Sequence, residues 1–365
     1  MESFDKNISY PRYVAPNITN STCVAGDSTV EMVAKASAYS TILVFSLVGN
    51  AILILSIAKN KQSRKSIHYL VFNMAVSDLF NPFTLMPIHL VQIISGSVSW
   101  KVVRPWLLGS ILCKLSYFLI DVSLVVSIES LLLISVDRFI AVLFPLKAKL
   151  ISSKVRLVGV LCTWIVAIMV HAPYFYAYKL TPEGNEVVCR LNWGPAFVHK
   201  QTHKRFVTAT FITFVLVPIG VMVIMYGTIA WRLKRSNTKQ KQQLGCRHKS
   251  RDEQHKKIVR MSVAIIVAFS FCTIPLSVYL FAQIVLWDKG LPPVCAFQTV
   301  ILFVVKFLLH SWSAVNPCVC LIFNSKYRSG SRQIPSFLNS QRIPASERSI
   351  RLETKNHTIN KRLSN

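Results

Sequence analysis

The sequence predicts an all-α membrane protein, built as a seven-transmembrane helix bundle. Of its 365 residues 52% are hydrophobic and 16% are charged, whereas roughly a quarter of the residues in a soluble domain are charged. Long, almost uncharged apolar runs alternate with short basic segments. This separation is typical of helices that cross a bilayer and of loops that carry the charge. It excludes a disordered chain, a small disulfide scaffold and an ordinary cytosolic enzyme.

Seven apolar runs are long enough to cross a membrane as helices. A helix rises about 1.5 Å per residue, so about 20 apolar residues cross a hydrocarbon core of ~30 Å. Barrel strands are excluded because they are about ten residues long and alternate in polarity, which these runs do not. The predicted spans are 36–58, 67–94, 110–143, 157–178, 206–231, 258–287 and 297–323.

The charges of the loops predict which side of the membrane is cytoplasmic. Segments 59–66, 144–156, 232–257 and 324–365 together carry 27 basic and 4 acidic residues, whereas the opposite side carries 11 basic and 7 acidic residues. Cytoplasmic loops carry the excess of Lys and Arg. We therefore predict a multi-pass protein of the plasma membrane with its N-terminus outside. The net charge of +27 lies in these loops, so nucleic acid is not an expected partner.

Residues 1–35 are predicted to form a glycosylated extracellular tail. Three Asn-X-Ser/Thr sequons lie in this polar segment, at Asn7, Asn17 and Asn20. The segment lacks the apolar core of a cleavable signal peptide, so we expect the first span to act as its own insertion signal.

Four of the cysteines lie on the oxidising outer side. Cys113, at the outer end of the third span, and Cys189, in the second outer loop, are predicted to form a disulfide. Cys23 and Cys295 are candidates for a second bridge, from the N-terminal tail to the third outer loop. The alternative is that this second pair stays unbridged.

Charged side chains inside the spans are candidate functional groups, because each costs ~2.5–3.5 kcal/mol to insert and needs a reason. Asp78 is central in the second span, so it must face the interior. Asp121 and Lys306 lie in the outer halves of their spans and would line an outward-opening cavity if both face inward. The alternative is a mutual structural ion pair. Asp137 and Arg138 are adjacent at the inner end of the third span and can pair with each other.

Short motifs follow one another along the spans. They are Gly49-Asn50, Asn73-Met74-Ala75-Val76-Ser77-Asp78, Trp106-Leu107-Leu108-Gly109 before Cys113, Asp137-Arg138-Phe139 and Asn316-Pro317. From about residue 33 to residue 333 the chain thereby resembles the rhodopsin-like (class A) G-protein-coupled receptors, and most closely their peptide receptors. The resemblance implies a receptor domain over 36–323, a short amphipathic eighth helix over 324–334 and a disordered cytoplasmic tail over 335–365.

The resemblance also implies roles for individual residues. Arg138 would lock the inactive state through Asp137 and then swing toward the C-terminus of a heterotrimeric G protein, with Tyr226 beside it. The outer disulfide would pin the second outer loop over the cavity mouth. An allosteric sodium ion, with no other metal or cofactor, would bind through oxygen ligands suited to such a cation. That pocket would consist of Asp78, Ser127, Ser313 and Asn316.

Two positions depart from the family's pattern. Thr273 stands where the sixth span of the family has the tryptophan of C-W-x-P, and Cys320 stands where the seventh has the tyrosine of N-P-x-x-Y. Tyr226 therefore lacks the hydroxyl that it would approach in the active state. We expect signalling to survive, because Arg138 and Pro275 remain. The alternative is a decoy or arrestin-biased receptor that binds its ligand without G-protein coupling.

The outer side favours a short peptide, most plausibly a neuropeptide, as the ligand. Residues 181–189 combine turn residues with a β-prone run and predict a hairpin, as in peptide receptors of the family. Ile120 and His310 stand where amine receptors and opsins have their aspartate and lysine, so an amine or retinal is disfavoured. A small-molecule or lipid receptor of the same fold is the alternative. The candidate ligand-binding residues are His89, Gln92, Asp121, Tyr279, Gln283, Lys306 and His310.

The cytoplasmic tail predicts arrestin as a further partner. Serines and threonines in the tail could be phosphorylated and bind arrestin.

The sequence does not favour an enzyme or a transporter. Metal-spaced histidines, a Gly-rich phosphate loop and a convincing nucleophile–base pair are absent from the sequence, so we do not expect an enzyme. A transporter would need matching halves, and the seven spans do not divide into them.

Overall fold

The computed structural model describes residues 27–59, 66–97, 100–102, 106–144, 146, 152–184, 186–240, 246–285, 295–323 and 328. Within these ranges the chain forms helices and one β-hairpin, as the predicted fold class requires. In chain order the elements are α1 (Thr29–Lys59), α2 (Ser66–Asp78), α3 (Phe80–Phe83), α4 (Leu85–Ser95), α5 (Trp106–Leu143), α6 (Ser153–His171), α7 (Tyr174–Ala177), β1 (Tyr178–Glu183), β2 (Glu186–Leu191), α8 (His199–Phe211), a π-helical turn (Ile212–Leu216), α9 (Val217–Gln240), α10 (Cys246–Val285) and α11 (Cys295–Phe323).

Six helical stretches of the described chain are long and apolar enough to cross a membrane. They correspond to the first and the third to seventh predicted spans. Helix α1 begins at Thr29, seven residues before the predicted start of its span. The six stretches are Thr29–Lys59, Trp106–Leu143, Ser153–Ala177, His199–Arg235, Val259–Ala282 and Val300–Phe323.

The second predicted span is not one continuous helix but the succession of α2, α3 and α4. Two prolines explain both interruptions, because proline cannot donate to the carbonyl four residues earlier. Pro82 removes the bond to the carbonyl of Asp78, where α2 ends, and Pro87 removes the bond to that of Phe83, where α3 ends. At the second break the Thr84 hydroxyl donates to the Phe80 carbonyl at 2.6 Å. Asp78 therefore lies at a helix end inside the bundle.

Helix α5 is the central helix and packs against α2, α6, α9 and α10. Its inward face is largely buried, whereas large apolar side chains on the outer faces of other helices are exposed, among them Phe45, Val158 and Ile224. Contiguous exposed apolar surface of this kind is expected where the surrounding medium is lipid. Many of the buried residues are polar, so the interior of the bundle is where hydrogen-bonding groups collect.

The second outer loop is an antiparallel hairpin of β1 and β2, as the sequence predicts. Leu180 pairs with Cys189, and Gly184 in the turn has a φ of 61°, which favours glycine. The predicted disulfide joins Cys189 to Cys113, with Cα atoms 5.6 Å apart. The amide of Cys189 also donates to the carbonyl of Trp100 at 3.1 Å. The hairpin is therefore fixed to the outer end of α5 and to the preceding outer loop.

A π-helical turn, Ile212–Leu216, interrupts the fifth span between α8 and α9. It directly precedes Pro218, which cannot donate to the carbonyl of Phe214. Single π turns inside α-helices are found frequently at functional sites, and here the turn lies beside the outer cavity described below.

Several predictions fall outside the described residues. They are the glycosylation of Asn7, Asn17 and Asn20, the bridge between Cys23 and Cys295, the contact of the Gln283 side chain, and the segments 324–334 and 335–365 apart from Arg328. All of them stay predictions.

Candidate functional site

The inner end of α5 carries a buried ion cluster around Asp137. The Nη2 of Arg138 donates to the Oδ2 of Asp137, as the sequence predicts. Arg156, at the start of α6, donates from Nε to the Asp137 Oδ1 at 3.0 Å, and its Nη2 lies 3.0 Å from the same oxygen. The three side chains are between 9% and 15% exposed. Asp137 is therefore shared by two arginines, of which the sequence reasoning identified one.

Tyr226 lies on α9 near this cluster and is buried. Its hydroxyl has Ser135 and Ser262 as polar neighbours, yet it has no hydrogen-bond partner of acceptable geometry within the described chain. Cys320, where the family's tyrosine would stand, is fully buried and belongs to the same apolar core. A tyrosine hydroxyl buried without a partner is in a costly position.

Asp78 is fully buried at the centre of the bundle and accepts three hydrogen bonds. Its Oδ1 accepts from the Ser127 hydroxyl and from the Trp312 indole Nε1, the latter at 3.0 Å. Its Oδ2 accepts from the Asn316 amide at 2.8 Å. The sequence predicted Ser127 and Asn316 around this carboxylate but did not identify Trp312.

Ser313 is the predicted sodium ligand that does not reach Asp78. Its hydroxyl accepts from Ser46 at 2.9 Å and from Asn81 at 3.1 Å, and it donates to the His310 carbonyl at 3.1 Å. The Trp312 indole and the Asn316 amide direct N–H groups at Asp78 and offer no lone pair there, so of its three hydrogen-bonding neighbours only the Ser127 hydroxyl could coordinate a cation. A sodium ion needs several oxygen ligands, so this arrangement does not fit one.

Asp121 lies in an outer cavity of about 150 Å³ between α5, α7, α8 and α10. Tyr174 donates to its Oδ2 at 2.6 Å. The ring of Tyr178 lies edge-on to Tyr174, with centroids 5.1 Å apart, and stacks on Tyr117 at 4.2 Å. Tyr178 begins β1, so the hairpin contributes one of the aromatic rings near the carboxylate, and α7 and α5 contribute the others. A carboxylate next to aromatic faces can bind a cationic side chain.

His89 and His310 form a second outer cluster, with Lys306 near both. The two imidazoles are 4.9 Å apart, and Tyr39 contacts each of them. The Nδ1 of His89 donates to the Gln92 amide oxygen at 2.7 Å.

The Nδ1 of His310 donates to the Asn81 amide oxygen at 2.7 Å. These two side chains are buried, so His310 forms the inner part of the cluster rather than its mouth. Of the other predicted ligand-binding residues, Tyr279 on α10 is also buried. The second cluster therefore belongs to α1, α4 and α11, on a different set of helices from Asp121.

The predicted relation between Asp121 and Lys306 needs correction. Both lie in the outer half of the bundle, but within the described ranges no ion pair joins them. Asp121 is hydrogen-bonded to Tyr174, and Lys306 accompanies the two histidines. The alternative of a mutual structural ion pair is therefore wrong, because different helices surround the two charges. The outer half of the bundle therefore carries an acidic group and a basic group on separate helices, as candidate acidic and basic subsites.

An outer cavity beneath a disulfide-fixed hairpin, a polar centre and an inner arginine–carboxylate cluster define a membrane receptor of the seven-span class. The sequence model of the family described as "7 transmembrane receptor (rhodopsin family)" matches residues 49–319. The chain belongs to this family. It is therefore a multi-pass membrane receptor and not an enzyme, and the resemblance seen in its motifs is confirmed.

Curated relatives share about a quarter of their residues with the chain. It is 26% identical over 326 residues to the neuropeptide FF receptor 2 of Rattus norvegicus, covering 84% of the chain and 74% of the relative. It is 28% identical over 297 residues to the growth hormone secretagogue receptor type 1 of Mustela putorius furo, covering 79% and 76%. It is 24% identical over 318 residues to the neuromedin U receptor homolog nmur-2 of Caenorhabditis elegans, covering 80% and 76%.

Proposed function

We propose that this receptor binds a short extracellular peptide, a neuropeptide, and catalyses nucleotide exchange on a heterotrimeric G protein. It would act at the plasma membrane with its N-terminus outside. The observation that carries the proposal is the outer cavity: a half-buried carboxylate, Asp121, that accepts a hydrogen bond from Tyr174 of α7, next to Tyr178 at the start of the disulfide-fixed hairpin. The names of similar proteins, neuropeptide FF and neuromedin U receptors among them, agree with a peptide ligand.

The two outer subsites suggest how a peptide would be oriented. A basic side chain would enter the cavity and pair with Asp121, where desolvation strengthens an ion pair and its hydrogen bonds. An acidic side chain or a free C-terminus would pair with Lys306 beside the histidines. Because the subsites lie on different helices, one peptide carrying both charges could contact both sides of the bundle at once.

A peptide-library screen in cells that report calcium and cyclic AMP would identify an agonist. We then expect Asp121→Asn to lower the potency of a peptide with a basic residue by roughly 10- to 150-fold, as for loss of a hydrogen bond to a charged group. Replacing the basic residue of the peptide by a neutral one should make the wild type and the variant equivalent, which a double-mutant cycle measures.

Tyr174→Phe is the matched control, because it removes the hydroxyl that contacts Asp121 and keeps both the ring and the carboxylate. If Asp121 binds the ligand, Tyr174→Phe retains or improves potency. If Asp121 serves only to hold Tyr174, the two variants lose potency equally and the ligand role is rejected. Lys306→Gln should act on peptides with an acidic group and leave purely basic peptides unaffected.

The alternative, a decoy or arrestin-biased receptor, is suggested by Thr273 and Cys320 at the positions of the family's tryptophan and tyrosine. The buried pair of Asp137 and Arg138 favours G-protein coupling instead. Nucleotide exchange on a G protein by the purified receptor separates the two functions. Recruitment of arrestin would be tested independently, by truncating the chain at Pro335 before the serines of the tail.

A further inference from the structure

Trp312 occupies the centre of the bundle next to Asp78. The side chain is fully buried, and its Nε1 donates to the Asp78 Oδ1 at 3.0 Å. It lies one helical turn before Asn316 on α11, so both side chains project from the same face of that helix. An indole and an amide from one helix thus contact the two oxygens of one carboxylate.

The surroundings of Asp78 are complete without an ion. Ser127, Trp312 and Asn316 each direct a hydrogen toward the carboxylate. A cation bound there would have to displace the indole and amide N–H groups, which offer it no lone pair, and of the three neighbours only the Ser127 hydroxyl oxygen could coordinate it. The Asn316 Oδ1 is buried without a partner in the described chain, but it is on the other side of the amide, because the Nδ2 faces Asp78.

The indole also fills the space between α10 and α11. Phe269 of α10 contacts it, with ring centroids 6.3 Å apart. Thr273 follows Phe269 by one turn on the same face of α10, and its hydroxyl donates to the Phe269 carbonyl at 2.9 Å. The small threonine at the position of the family's tryptophan is therefore accompanied by a tryptophan supplied from the seventh span.

We propose that the indole of Trp312 takes the place of the allosteric ion at Asp78. Three hydrogen-bond donors of the protein stabilise the central carboxylate, the indole fills the adjoining space, and the receptor does not bind sodium there. Instead of a removable cation, a side chain of α11 links the second span to the seventh. This inference needs neither an identified peptide nor G-protein coupling.

The test is thermal unfolding of the purified full-length receptor in sodium chloride and in choline chloride at equal ionic strength. A bound cation stabilises the folded state by mass action, so a sodium site raises the unfolding midpoint in a saturable way. For the wild type we expect the same midpoint in both salts. A sodium-dependent rise that Asp78→Asn abolishes would overturn the proposal.

Trp312→Asn removes the indole and supplies an amide oxygen. We expect this variant to gain a saturable, sodium-dependent rise in its midpoint, whereas Trp312→Phe, which keeps an aromatic ring in that space, should stay insensitive. Trp231→Asn, at an exposed position of α9, is the matched control and should show no response. A folded Trp312→Asn receptor without a sodium response would refute the role of the indole. If Trp312→Asn does not fold, the sodium dependence of the unfolding midpoint in the wild type and in Asp78→Asn still shows whether sodium binds at Asp78.

Discussion

Because two arginines share the carboxylate of Asp137, we expect substitutions of Asp137 and of Arg156 to change basal activity in opposite directions. Family resemblance implies that Arg138 leaves Asp137 when the receptor is activated. Arg156 would then be the remaining cation on that carboxylate, so its contact is worth more in the active state than in the inactive state, where two arginines share the charge. Asp137→Asn should therefore raise basal activity, and Arg156→Gln should lower it.

The size of each effect follows from the hydrogen bonds that change. A hydrogen bond to a charged group contributes ~1.5–3 kcal/mol, which is lost from the inactive state when Asp137→Asn removes the bond from Arg138. The same variant also removes the Arg156 contact, whose excess of about 1 kcal/mol favours the active state, so the net shift toward the active state should be roughly 2- to 30-fold. For Arg156 the relevant quantity is the difference in free energy between its contact with Asp137 in the active state, where it binds alone, and in the inactive state, where Arg138 also binds. If that difference is about 1 kcal/mol, Arg156→Gln shifts the ratio about fivefold toward the inactive state.

The assay is basal nucleotide exchange on a G protein in membranes with matched receptor expression. Lys154→Gln is a suitable control, because it removes an exposed positive charge two residues from Arg156, with no ion pair to it in the described chain. This control should leave basal exchange unchanged. Competition between the arginines would be refuted if Arg156→Gln and Asp137→Asn changed basal exchange in the same direction.

Two further predictions concern α11. Cys320→Tyr should raise basal activity, because it restores a hydroxyl that Tyr226 can approach in the active state; basal exchange that is unchanged or lower rejects this. Gly49→Ala should lower the unfolding midpoint of the purified receptor, since the new Cβ would lie 2.9 Å from the Pro317 Cγ, and such overpacking costs ~1–3 kcal/mol. Gly220→Ala is its control: no described atom lies within 4 Å of the new Cβ, so a comparable loss there would contradict the steric explanation.

Features that depend on local pattern could be predicted from the sequence. The apolar runs gave the positions of the spans, and turn residues followed by a β-prone run gave the hairpin. The ion pair of Asp137 with Arg138 joins neighbours in the chain, so its formation requires little information about the fold. The disulfide of Cys113 with Cys189 was predictable because topology places both cysteines on the oxidising side.

Contacts between distant segments were less accessible. Arg156 follows Asp137 by 19 residues and appeared to be one basic loop residue among several. Trp312 resembled an ordinary apolar side chain of a span, although its position one turn before Asn316 could have indicated that it faces Asp78. The separation of Asp121 from Lys306 depends on the rotation of α5 and α11, which similar depth in the membrane does not determine.

The wide turn at Ile212–Leu216 has a consequence for comparing this receptor with its relatives. A π turn accommodates an additional residue. Residues before and after it therefore do not share a helix face at the spacing expected from 3.6 residues per turn. Thr208, in the cavity wall, and Tyr226, near the inner ion cluster, therefore cannot both be matched to a uniformly α-helical relative without a one-residue gap. Loss of a single residue within this turn could restore regular winding while leaving both ends of the helix oriented as they are.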